Sequence, residues 1–172
     1  MNRILVLGSP GAGKSTFSRR LGIVLGFPVI HLDAHFWKPG WEKPERKAWI
    51  ETQRELIASS ESWIMDGNYG STIEVRLREA DTVILLDIPR RVCLSRVFRR
   101  RLLYRNESRP DMAEGCPEKV DVEFLRYIWS FPSEKLAPLE RRLDHLDDEM
   151  SVVRLSSDDE IEAFLDSASD LS

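Results

Sequence analysis

Five short apolar runs punctuate the chain, and longer stretches with helical spacing separate them. Ile4 to Leu7 forms the first, inside a strand expected over 3–8. Phe17 to Leu25 carries apolar side chains at helical spacing, which predicts a helix capped by Gly26 and stopped by Pro28. Val29 to Asp33 reads as a second strand, Trp63 to Asp66 as a third, Thr82 to Asp87 as a fourth and Val152 to Leu155 as a fifth. Helices are predicted from about Glu45 to Ser59, Ser71 to Glu79 and 90–104, the last opened by Pro89. Further helices are expected over Val120 to Phe131, ended by Pro132, and from near Pro138 to Leu146. Ser157 or Asp158 should cap a terminal helix through about Ser167, with a frayed tail to Ser172. AHFWKPGWEKP (34–44) and NESRPDMAEGCP (106–117) read as loops.

This alternation predicts one α/β domain over 1–172: a doubly wound, mostly parallel five-stranded sheet with helices on both faces. Ligands of such sheets bind at the carboxyl ends of the strands. Asp33, Asp66 and Asp87 each end an apolar strand and would share that edge.

The sharpest chemical signal is GSPGAGKS, Gly8 to Ser15, followed by Thr16. It lies between a predicted strand and a predicted helix, the setting of a P-loop. Through Gly8, Ser9, Pro10, Gly11, Ala12 and Gly13 the backbone can turn its amides inward to make an anion nest at a helix N-terminus. Lys14 can reach the outer phosphates of ATP, and the Ser15 hydroxyl is a candidate Mg²⁺ ligand.

Composition narrows the setting. Of 172 residues, 42% are hydrophobic and 31% charged, as in ordinary globular proteins. A net charge of −4 argues against nucleic-acid binding by the chain as a whole. Cys93 and Cys116 fit no zinc spacing and no disulfide framework. The N-terminal apolar run is too short for a signal peptide, and no stretch has the length of a membrane span. A cytoplasmic protein, monomer or homodimer, is expected. A GTP switch is disfavoured, because no N-K-x-D segment is present and no D-x-x-G follows a strand.

Local charge departs from the average over 90–104. No acidic residue lies between Ile88 and Asn106, whereas Arg90, Arg91, Arg96, Arg99, Arg100, Arg101 and Arg105 do. Arg96 and Arg100 share a helix face, and Val92, Cys93, Val97 and Leu103 are candidates for the core side. A solvated basic face, a nucleic-acid contact and a clamp on a bound triphosphate are the three readings. The clamp agrees best with the P-loop.

Of the strand-terminal acids, Asp66 precedes a glycine turn that would expose it, and is favoured as the metal-side acid beside Ser15. Asp33 is followed by His35, Trp37 and Lys38 and is favoured on the acceptor side. His31, inside a strand, reads as structural, and His35 as a possible substrate contact. Trp37 and Trp41 either stack on a planar substrate or fill a satellite core.

The P-loop, the DG turn after the third strand and LLDIPRRVCLSRVFRR after the fourth resemble the adenylate-kinase-like family of P-loop nucleotide and small-molecule kinases. HLDAHFWKPGW, MDGNYGSTIEVRL and RPDMAEGCPEK resemble, more narrowly, the bacterial topology modulation proteins, kinases related to adenylate kinase. The resemblance implies a lid over about 96–117, with Arg96, Arg100 and Arg109 closing on the nucleotide, and an acceptor region over about 33–62. It departs from adenylate kinase after Asp33, where no arginine appears until Arg46, and at DGNY; Arg76 or Arg78 are the candidates for the missing acceptor arginine. The implied activity is transfer of the ATP γ-phosphoryl, with Mg²⁺, to a nucleotide, nucleoside or other small molecule. The scarcity of arginine near Asp33 tilts the expectation slightly towards a hydroxyl or mixed polar acceptor, with nucleotides kept as a leading class. The alternative is a nucleic-acid-binding regulator of DNA topology with nucleotide as a structural ligand.

Overall fold

In the computed structural model, which describes residues 1–103, 120–144 and 150–169, all strand pairings are parallel. The strands are β1 (Arg3–Gly8), β2 (Val29–His31), β3 (Trp63–Asp66), β4 (Thr82–Leu86) and β5 (Ser151–Leu155), in the order β2-β3-β1-β4-β5. The expected α/β fold is therefore the observed one. β1 is central, between β3 and β4, so the loop leaving it opens between diverging chain paths at the carboxyl edge.

Strand periodicity divides the core. Ile4, Val6, Ile64, Ile84 and Leu86 face Phe17 and Leu21 of α1 (Lys14–Leu25), Cys93 and Val97 of α5 (Arg90–Leu103), and Ile161 and Leu165 of α8 (Asp158–Ser169). Leu5, Leu7, Met65, Val83 and Leu85 face Trp49 and Ile57 of α3 (Arg46–Ala58) and Ile73 and Leu77 of α4 (Ile73–Leu77). Successive side chains of a strand point to opposite faces, so continuous apolar runs serve a sheet covered on both.

Several boundaries differ from the sequence reading. β2 stops at His31, and Leu32–Phe36 forms a short helix, α2, because Leu32 is drawn fully into the core and Phe36 packs on aromatic rings. Pro132 does not break its helix. α6 (Val122–Phe131) passes through a π-helical turn, Pro132–Leu136, into α7 (Ala137–Leu143). The wider turn accommodates the ring and the missing N–H without ending the helical path. Val92 and Leu103 of α5 are exposed rather than in the core. Ser157, not Asp158, caps α8, its Oγ accepting from the Glu160 amide at 3.2 Å. Cys93 is buried with a free thiol. The expected helix end at Leu146, the tail at 170–172, Cys116 and most of the expected lid lie outside the described residues. Among the described residues no helix is long and apolar enough to cross a membrane.

Candidate active site

The loop after β1 is built for close backbone approach. Gly8 has φ 148°, and a Cβ there would stand 2.5 Å from the Leu86 carbonyl oxygen; at Gly11, φ 83°, it would collide with the Cys93 carbonyl. Only glycine fits both. α1 then begins at Lys14 with no side-chain cap and no acidic residue in its first turn. Its N-terminal amides and positive dipole end are thus left to an external anion.

Lys14 folds back over this loop. Its Nζ donates to the carbonyls of Gly8 at 2.9 Å and Ser9 at 3.1 Å. Burial holds its pKa below the usual lysine value, while the charges of Asp33 and Asp66 oppose that shift.

The two favoured carboxylates occupy different surroundings. Asp66 ends β3 beside His31 of β2, and His31 Nδ1 lies 3.0 Å from Asp66 Oδ1, which accepts. The glycine turn does not expose Asp66 as expected; it is 4% exposed, and its Oδ2 is buried with no hydrogen-bond partner among the described residues. Asp33, in the first turn of α2, accepts a 2.5 Å hydrogen bond on Oδ1 from the Tyr69 hydroxyl. Burial, then the Asp33 charge, pushes the Tyr69 pKa far up, so this hydroxyl is a donor throughout the physiological range. Tyr69 sits in the left-handed region at φ 36°. It is held there by Arg76, which donates to the carbonyls of Gly67 and Asn68 at 2.7 Å each and of Tyr69 at 3.3 Å. Arg76 is fully buried and its terminal nitrogens are engaged by this turn, and Arg78 is exposed; neither of these candidates for the acceptor arginine lines the cleft.

Arg96 reaches the loop from α5. Its Nη1 donates to the Ala12 carbonyl at 3.2 Å, and its Nη2 to both carboxylate oxygens of Asp158 at 2.7 Å. Arg100, one turn further, lines the same cleft, and its charge acts on Lys14. Arg109 lies outside the described residues. Pro10, Gly11, Gly13, Lys14, Ser15 and Thr16 line one part of this cleft of about 1970 Å³, which also takes in Asp33 and Asp66; Asp87 does not line it. Beyond Asp33 its walls are Phe36, Trp37, Trp41, Tyr69 and Tyr127. The two tryptophan rings stand 5.1 Å apart in an aromatic cluster, as the satellite-core reading expects, and that cluster lines the cleft. His35 is exposed and outside the lining.

No family model matches the chain. The shikimate kinase of Rhodococcus jostii (strain RHA1) is 31% identical over 138 residues, covering 72% of this chain and 78% of the relative. The chain belongs to the P-loop kinase family that includes shikimate kinase. Two solved structures show the same fold at low identity. An unliganded sugar kinase from Janibacter sp. HTCC2649 matches over 99% of this chain and 91% of its own, with TM-score 0.50 and 16% identity. Deoxyadenosine kinase from M. mycoides with bound dATP matches over 97% and 98%, with TM-score 0.51 and 18% identity.

Three further residues of this kinase escaped the sequence reading as site elements. Asn68 reads as a turn residue, yet its side chain bonds the start of the P-loop. Tyr69 reads as part of the same turn, and its hydroxyl reaches Asp33, 36 residues away. Asp158 looked like a helix cap and instead meets Arg96, 62 residues away. The one sequence signal at the first two is that DGNY replaces the turn found in adenylate kinases.

Proposed function

We propose that this chain is an ATP·Mg²⁺-dependent phosphotransferase whose acceptor group is a hydroxyl of a small molecule. The observation that carries the reading is that Asp33, hydrogen-bonded by Tyr69, lines the same cleft as Lys14 of the phosphate loop. With one oxygen engaged by Tyr69, Asp33 keeps Oδ2 to orient an acceptor hydroxyl and take its proton. The acceptor oxygen then bonds to the γ-phosphorus as the bond to the β–γ bridging oxygen breaks, and ADP leaves. The loop amides hold the β- and γ-phosphates, and Lys14 turns from the Gly8 and Ser9 carbonyls to the phosphates. Arg100 is suited to the charge spread over the transferring group.

The residues fit Mg²⁺. Asp66 offers a buried oxygen that has no partner among the described residues, Ser15 lines the same cleft, and both are hard oxygen donors. Among the described residues no cluster of His, Cys, Asp and Glu could hold a metal alone, so phosphate oxygens and water would complete the shell. When bound, the ion neutralises phosphate charge.

A phosphate acceptor would call for a guanidinium beside Asp33; Arg76 is spent on carbonyls, and of the other arginines lining the cleft Arg142 pairs with Glu74. The shikimate kinase name of the relative likewise indicates a small-molecule acceptor. The narrower resemblance to topology modulation proteins is compatible with this reading and adds no acceptor. A nucleic-acid regulator is less well supported. Arg96 turns inward to Asp158, and Arg90 stacks over Trp129 at 4.4 Å.

The test is ATP-dependent product formation with shikimate, nucleosides and sugars on one side and nucleoside monophosphates on the other. Phosphorylation of a hydroxyl compound that Asp33→Asn cuts by roughly a hundredfold or more is expected. Efficient phosphorylation of a monophosphate and of no hydroxyl compound would overturn the acceptor assignment.

A further inference from the structure

β1 loses its neighbour on one side just where phosphate chemistry begins. The β1–β3 ladder runs from Arg3 opposite Trp63 to Val6 opposite Asp66, and β3 ends there. On the other side β1 stays paired through Gly8 opposite Leu86 of β4. On the open side the Asn68 side chain stands where a strand would be. The Gly8 amide donates to Asn68 Oδ1 at 3.1 Å, and Asn68 Nδ2 donates to the Gly8 carbonyl at 2.9 Å. The two contacts fix which end of the amide is oxygen, because one Gly8 partner is a donor and the other an acceptor. Asn68 is itself anchored, since Arg76 donates to its carbonyl at 2.7 Å.

The Gly8 carbonyl therefore has two donors, Asn68 Nδ2 and Lys14 Nζ, the latter at 2.9 Å. A carbonyl oxygen has two lone pairs, and both are used. To reach the outer phosphates Lys14 must leave this oxygen. A part-buried carbonyl with no remaining donor would oppose that move by the cost of an unmet hydrogen bond.

We propose that Asn68 is a positioning residue of the phosphate site: its amide replaces the missing strand at Gly8 and keeps the Gly8 carbonyl satisfied when Lys14 swings to the nucleotide. This rests on the P-loop kinase reading but not on the identity of the acceptor. In this role the Asn68 amide acts on Gly8 and Lys14 and needs no contact with phosphate. It sets the geometry of the first residue of the nest and makes Lys14 available.

Two substitutions separate this role from simple support. Asn68→Asp is nearly isosteric and keeps an oxygen for the Gly8 amide, but sets a carboxylate oxygen against the Gly8 carbonyl and adds negative charge beside the nest. Asn68→Ala removes both hydrogen bonds and adds no charge. Calorimetric titration with ADP·Mg²⁺ and with inorganic pyrophosphate, which carries no base, reads the nest directly. The expected result for Asn68→Ala is about a tenfold loss of affinity for both probes, the worth of one to two hydrogen bonds. Asn68→Asp should lose more, by a margin that its melting temperature relative to the alanine variant does not account for. Wild-type affinity in both variants, with the parent binding both probes, would overturn this inference and leave the kinase reading intact. Equal losses in the two variants that follow their melting temperatures would also overturn it, making Asn68 merely structural. A parent that binds neither probe would defeat the kinase reading, and this inference with it.

Discussion

Arg96 Nη2 donates to both carboxylate oxygens of Asp158, at 2.7 Å each, while Nη1 holds the Ala12 carbonyl of the phosphate loop. An arginine expected to close over the nucleotide is thus engaged by an acid from the start of α8. The carboxylate competes with phosphate for the same guanidinium. The Asp158 side chain is 68% exposed, so the pair contributes little to stability, under about 1 kcal/mol. Asp158→Asn is expected to tighten ATP binding severalfold at low salt and to leave the unfolding free energy almost unchanged. Weaker ATP binding in calorimetry would show instead that Asp158 orients Arg96 for the nucleotide.

Lys14→Ala should remove the charge-assisted contact to the terminal phosphates, worth roughly 1.5–3 kcal/mol, and weaken ATP binding accordingly. Unchanged ATP affinity and unchanged turnover together would refute the P-loop assignment. Burial lowers the Lys14 pKa, and bound phosphate favours its protonated form. ATP binding should therefore take up a proton at alkaline pH, and affinity should fall as pH rises through the lowered pKa, below 10.5. Titrations in buffers of different ionisation enthalpy measure the uptake. Lys14→Arg, which stays charged, should abolish it.

Asp33→Asn should leave ATP affinity and melting temperature nearly intact and cut transfer to a hydroxyl acceptor by roughly a hundredfold or more. Tyr69→Phe removes the 2.5 Å hydrogen bond but not the carboxylate, and should cost less. Turnover with the best compound from the acceptor screen, alongside ATP affinity and a melting curve, provides the check. A variant that melts much lower while its folded fraction transfers normally would make Asp33 structural.

Arg76→Met should destabilise the fold by about 3 kcal/mol, because carbonyls of the 67–69 turn lose their buried donor. Denaturant unfolding measures it. A change under about 1 kcal/mol would mean that water satisfies these carbonyls instead.

The sequence by itself determined the frame. Strand-length apolar runs alternating with helical spacing leave a covered parallel sheet as the packing that buries both, and GSPGAGKS between strand and helix predicts an anion nest. Such signals are local, carried by neighbours along the chain. Tertiary structure decided which polar groups meet. Asp33 and Tyr69 are 36 residues apart, Asn68 and Gly8 60, and Arg96 and Asp158 62. No periodicity encodes such pairs, because they follow from strand order, from where β3 ends beside β1, and from the turn that Arg76 holds. The same reason separates Arg76 from Arg78, which look alike in sequence: the helical turn of α4 buries one under Gly67 and leaves the other in solvent.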